Sequence, residues 1–171
     1  LGLDRGDRAA ARFKLTDQSK TAKMARAAKL KQSMSDLAAI DPQSLNRVER
    51  TWYDWAGFYG ASTVAIDEMG YGVGGFPSPY RISQLTGVYQ SAPDFMRTQH
   101  RIEQADDAEA YLSRLDDFAV QLDNDRMLTA EDQALGVIPP DFVVQKTLSQ
   151  LRSLMQGDPA QHSLVQSLTE R

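Results

Sequence analysis

From Leu45 to Met69 the chain repeats one pattern. Leu45, Val48, Trp52, Trp55, Tyr59, Ser62, Ile66 and Met69 recur at alternating steps of three and four. That interval places all eight positions on one face of a helix and cannot be read as a strand, whose side chains alternate with period two. Asp41-Pro42 upstream reads as an N-cap followed by a proline at the first helical position. Tyr53, Ala56 and Phe58 widen the apolar arc, and Gly57 and Gly60 occupy the remaining side, where small residues let another backbone come close. An arc this wide predicts a helix buried on several sides. Its aromatics are read as core packing rather than as a cofactor box.

The rest of the chain carries the same period. Thr16 is the expected cap of a helix running to about Ala39, with Ala27, Leu30, Met34 and Leu37 on one face. A short helix is expected over Pro93–Thr98. Asp106 and Glu109 form a capping-box start for a helix placing Leu112, Leu115, Ala119 and Leu122 together and resuming towards Gln133. Gly136 is the expected stop, with Pro139-Pro140 blocking continuation. Asp141 then caps a helix with Val144, Leu148, Leu151 and Met155 at three-four spacing, and Asp158-Pro159 opens a last one with Leu164 and Leu168. Such a pattern is all-α: an irregular multi-helix assembly interrupted by a Gly/Pro-rich extended passage near residues 70–90. Its 171 residues form one helical region without an internal repeat.

Several function classes are excluded by what the chain contains. It has no cysteine, which removes disulfides, thiolate nucleophiles and cysteine-ligated metals. Its net charge is -4, although residues 1–32 hold nine Lys/Arg against three Asp/Glu. A single aromatic, Phe13, stands among those bases, too few for a stacking surface, so they read as a solvated helix face and not as a nucleic-acid surface. No apolar run approaches the ~20 residues of a membrane span. Gly70, Gly72 and Gly75 satisfy G-x-G-x-x-G, but a long helix precedes them and Phe76-Pro77-Ser78-Pro79 follows. A dinucleotide site needs a strand before the glycines and a helix after them. The glycines therefore read as a tight passage where backbone packs on backbone. Asp123-Asn124-Asp125 lacks the Gly and Glu of a calcium loop, since Leu128 and Ala134 stand there. The two histidines, His100 and His162, lie far apart, and no H-E-x-x-H occurs. On motifs alone the chain is not a complete enzyme.

The stretch "FPSPYRISQLTGVYQSAPDFMRTQH", then "DDAEAYLSRL" and "GVIPPDFVV", resembles the N-terminal part of the bacterial proteins called domain of unknown function 885. "LGLDRGD" resembles the residues those proteins show soon after an export signal. The resemblance implies a longer, largely helical protein, related at fold level to zinc-dependent peptidases of the zincin type. It implies export to the periplasm or beyond, often by the twin-arginine route. The expected zinc-binding helix lies beyond Arg171, so the resemblance makes this chain an N-terminal portion that needs no cofactor itself. Its first partner is then the rest of its own polypeptide, with a peptide as substrate. In that setting the glycine-proline passage is expected to form one wall of a substrate cleft. Tyr80 and Gln84 would hydrogen-bond an extended peptide and Arg81 would meet a carboxylate. Tyr89 and His100, the latter beside Arg97, Arg101 and Glu103, complete the candidates. The plainer reading is that these side chains merely fix the loop to the helices. The competing functional reading is a freestanding helical module that binds a partner without catalysis.

Overall fold

The computed structural model of the protein describes residues 6–72 and 78–169. A 3-10 segment, Gly6–Phe13, leads into six α-helices: α1 (Lys20–Ala38), α2 (Arg47–Glu68), α3 (Val88–Thr98), α4 (Ala105–Ala134), α5 (Asp141–Met155) and α6 (Ser163–Thr169). The all-α expectation holds. No helix among the described residues is long and apolar enough to cross a membrane.

The helix ends correct several sequence expectations. Ser19, not Thr16, caps α1, its side chain accepting from Ala22 N at 3.2 Å. Asp41-Pro42 and Asp158-Pro159 each cap only a one-turn 3-10 segment, Pro42–Ser44 and Pro159–Gln161. In both, the next residue is extended (Leu45 ψ 139, His162 ψ 138), which halts propagation. The long helix starts afresh at Asn46, whose side chain and that of Glu49 form a reciprocal capping box. Helix α3 begins at Val88 and carries Pro93 inside it. Helix α4 starts two residues earlier than expected, from Gln104 with Asp107 as the reciprocal partner, and runs unbroken for 30 residues. Gly136 ends it as expected: Val137 N bonds Asp132 O and Gly136 N bonds Gln133 O, the paired closure of a Schellman motif.

The apolar core lies where α3, α4 and α6 meet. Ala92, Met96, Tyr111, Phe118 and Leu164 form it, with Leu115, Leu122 and Leu168 packed at its edge. Tyr111 Oη reaches Leu164 O at 2.8 Å and Ser167 Oγ at 2.7 Å, so the buried ring keeps its polar end satisfied while holding α6 in place. Helices α1 and α2 form a separate antiparallel hairpin. The half-buried α1 face of Ala27, Leu30, Met34 and Leu37 turns to α2, and a Cβ at Gly60 would fall on the Met34 sulfur. Glycine there sets how closely the two helices approach.

Burial of α2 on several sides does not occur among the described residues. Gly60 is its one buried residue, while Trp52 (64 %), Trp55 (55 %) and Phe58 (76 %) stand exposed. The aromatics pack on one another instead: Trp52 meets Trp55 edge-on at 6.0 Å and Trp55 stacks on Tyr59 at 5.3 Å. The seam against α1 uses the neighbouring face of Tyr53, Ala56, Gly57 and Gly60 and leaves Val48, Trp52, Trp55, Tyr59 and Met69 of the three-four stripe exposed.

Helix α4 differs from expectation in the face it buries. Leu112 and Ala119 are exposed, whereas Asp107, Arg114, Gln121, Asp125 and Asp132 are buried beside Tyr111, Phe118 and Leu128. A similar shift occurs in α5, which buries Val143 and Thr147 and exposes Met155. The polar seam of α4 satisfies backbone groups elsewhere. Asp117 Oδ2 accepts from Leu15 N (2.9 Å), Gln121 Oε1 from Gln18 N (3.0 Å), Asp125 Oδ2 from Val88 N (2.8 Å) and Asp132 Oδ2 from Gly72 N (3.2 Å). Asp107 pairs with Arg12. One helix thus fixes both the N-terminal segment and the start of α3.

Candidate functional site

A cavity of about 560 Å³ opens where α1, α2, α3 and α4 converge, a size typical of small-molecule sites. One wall is apolar, built by Val88, Ala92 and Phe95 of α3 with Leu15 and Leu30. The other is charged: Lys23 and Arg26 from α1, Asp67 from α2, Arg81 from the passage before α3, and Asp125 from α4.

Two backbone features hold these groups. Gly72 has φ +71, and a Cβ there would strike the Ser78 carbonyl oxygen and lie 3.2 Å from Pro79 O. Only glycine admits that approach of two backbones. With it in place, Gly72 O accepts from Lys23 Nζ at 3.1 Å and Gly72 N binds Asp132. The second is Gly87, the N-cap of α3 at φ +125, which has no side chain to cap with. Asp125 supplies that cap from another helix, its carboxylate meeting the positive end of α3.

The charges are not all at ease. Burial holds the Asp125 carboxyl above the usual carboxylate range, against the pull of the Val88 N–H, Arg81 and Lys23. Burial also lowers Lys23, helped by the nearby Arg81 cation and opposed by Asp132 and Asp67. Arg81 is 7 % exposed. Its Nε lies 3.4 Å from Asp132 Oδ2 without the alignment of a hydrogen bond, and has no hydrogen-bond partner.

The candidates named from sequence fall into three places. Arg81 lines the cavity. Tyr80 and Gln84 belong to the bend before α3, and Tyr89 to the first turn of α3. Ser83 and Thr86 close the bend by reciprocal backbone bonds of 3.0 and 3.4 Å, and Thr86 Oγ1 donates to Tyr80 O at 3.1 Å. The Tyr89 hydroxyl donates to Ser83 O (2.7 Å), lies 2.6 Å from Gln150 Oε1 of α5, and is held above its usual pKa by burial. Gln84 Oε1 is buried without a partner, while its carbonyl accepts from Gln90 Nε2 at 2.8 Å. His100 lies at the far end of α3, 4 % exposed. Its Nδ1 is 2.6 Å from Arg114 Nη1 and its Nε2 is 2.9 Å from Asp107 O. A guanidinium only donates, so Nδ1 accepts and Nε2 carries the proton. The ring also packs edge-on against Tyr111 at 5.2 Å.

Lys23, Asp67 and Asp125 escaped the sequence reading. Asp125 alone of the three had a signal, an indistinct one: Arg114, Gln121, Asp125 and Asp132 follow the same three-four rhythm as Tyr111, Phe118 and Leu128. Gly75 of the glycine pattern lies outside the described residues. Among the described residues no group of three or more His, Asp or Glu is placed to hold a metal ion.

No curated protein and no solved structure matches this chain. A family model does, along its whole length. The cavity, the glycine passage and the α4 seam all lie within residues 1–171 matched by that model, and the chain belongs to the family of bacterial proteins of unknown function, DUF885.

Proposed function

We propose that this chain is the helical N-terminal portion of an exported, zinc-dependent peptidase and forms one wall of its substrate cleft. The described residues do not fit a zinc site, so the metal and the general base are assigned to residues outside them. The observation that carries the reading is the cavity of about 560 Å³ directly beside the glycine passage, with Arg81 in its wall. Apolar side chains and cations lining one cavity suit a peptide segment with one side chain and one polar end.

The test uses the protein as its source produces it, assayed on a quenched-fluorescence peptide library with bound zinc quantified. Zinc-dependent cleavage is expected. Ser91→Trp, which places bulk at the cavity wall from an exposed position, is expected to raise KM with zinc content unchanged. Zinc-loaded protein that cleaves no peptide overturns the reading. A second reading, a non-catalytic module that holds a partner, draws on the bare Trp52–Trp55–Tyr59 ridge. It predicts no turnover, with partner binding abolished by Trp55→Glu.

A further inference from the structure

The cavity wall contains a buried cation with spare hydrogen-bonding capacity. Arg81 is more than nine-tenths buried, touches the cavity, and leaves Nε without a hydrogen-bond partner beside its ion pair to Asp132. An enclosed donor without an acceptor is costly, and few such groups persist in a native fold. A guanidinium offers five N–H donors in a planar fork, the geometry that a carboxylate matches. Lys23 stands beside it and gives Gly72 O one of its three donors, leaving two.

The carboxylates nearby are differently placed. Asp125, which lines the cavity, accepts from the Val88 N–H through Oδ2, and Asp132, the ion-pair partner of Arg81, accepts from the Gly72 N–H through its own Oδ2. Asp67 on α2 lines the cavity and offers an acceptor for a ligand N–H. The side chains of Val88, Ala92 and Phe95 offer hydrocarbon contact, with the Arg114 guanidinium 5.0 Å over the Phe95 ring.

We infer that the cavity binds an apolar carboxylate, its carboxyl group on Arg81 and Lys23 and its hydrocarbon part against Val88, Ala92 and Phe95. The inference rests on the reading of this cavity as a ligand-holding wall and narrows what it holds. The same chemistry is offered by the free C-terminus of a peptide and by a small aryl or alkyl acid.

Calorimetric titration of the protein with N-acetyl-phenylalanine, its C-terminal amide and phenylacetate separates the possibilities. Saturable binding of at least one free acid is expected, with the amide about tenfold weaker or more, as loss of a charge-assisted hydrogen bond implies. Binding of N-acetyl-phenylalanine supports the carboxylate site and the peptide wall together. Binding of phenylacetate alone supports the carboxylate site and removes the peptide wall. Equal affinity for acid and amide overturns the carboxylate site while leaving the peptide wall standing, and no binding by any probe overturns the inference. Lys23→Met and Arg81→Gln are each expected to weaken the acid about tenfold or more. Because Arg81→Gln leaves buried Asp132 without its cation, thermal melts accompany it. Lys23→Met, at a half-buried position, carries the test should that protein not fold. Unchanged affinity in folded Lys23→Met overturns the assignment.

Discussion

Gly72→Ala tests whether close backbone approach shapes the site. Two costs add at this position. A φ of +71 is unfavourable for alanine by about 1 kcal/mol. The new methyl must also displace the 78–79 backbone, an overpacking cost of about 1–3 kcal/mol. The sum, about 2–4 kcal/mol, corresponds to a fall in Tm of roughly 4–16 °C for a chain of this size. Gly70→Ala is the control, since Gly70 has φ +77 but nothing within 4 Å of a Cβ. It carries only the first cost, roughly 2–4 °C. Loss of unfolded-state entropy on changing Gly to Ala is common to both and cancels in the comparison. Far-UV circular dichroism melts of the three proteins give the answer. Equal losses in Gly72→Ala and Gly70→Ala would refute the argument that the two backbones meet at Gly72.

Three further outcomes are expected. Tyr111→Phe removes the hydroxyl that meets Leu164 O and Ser167 Oγ, and should cost about 1–2 kcal/mol by melt, with amide exchange rising first in α6. Asp125 has a folded-state pKa raised above 3.8, so the native state holds its proton more tightly and stability falls as pH rises from about 3.8 through that folded value. Asp125→Asn is therefore expected to match or exceed the wild-type Tm at pH 7, with the difference shrinking towards pH 4. A variant weaker at pH 7 that recovers in acid would contradict the dominance of burial at this site. Trp52→Glu and Trp55→Glu, at exposed positions, should change stability by no more than about 0.5 kcal/mol while reducing hydrophobic-dye binding. Unfolding of either would mean the ridge is covered.

Which parts of the fold were legible follows from what periodicity measures. The helix over Leu45–Met69 and its stop-and-start neighbours emerged because apolar rhythm and Gly136 are local signals. The direction in which a face points is not local. Trp52 and Trp55 recur as a core stripe would, yet α2 turns its glycine side to α1, because Met34 packs where only Gly60 leaves room. In α4 the apolar rhythm pointed at Leu112 and Ala119. The buried face instead carries Asp107, Arg114, Gln121, Asp125 and Asp132, each answering a backbone or cationic group remote in sequence. Asp-Pro signalled a start twice, and both times the start lasted one turn. Of the site, Arg81 was within reach through the resemblance. Lys23 and Asp125 were not, since their meeting depends on α1 and α4 converging around the cavity.

The hydrogen bonds from the α4 seam also set a timetable. Leu15 N and Gln18 N find their acceptors 102 and 103 residues later, at Asp117 and Gln121. During vectorial synthesis these donors wait on the order of 5–20 s before their partners have even been made. The α1–α2 hairpin, by contrast, has both halves available once Glu68 has emerged. The segment around Leu15 and Gln18 is thus secured only once α4 has been made, later than the α1–α2 hairpin that follows it in sequence.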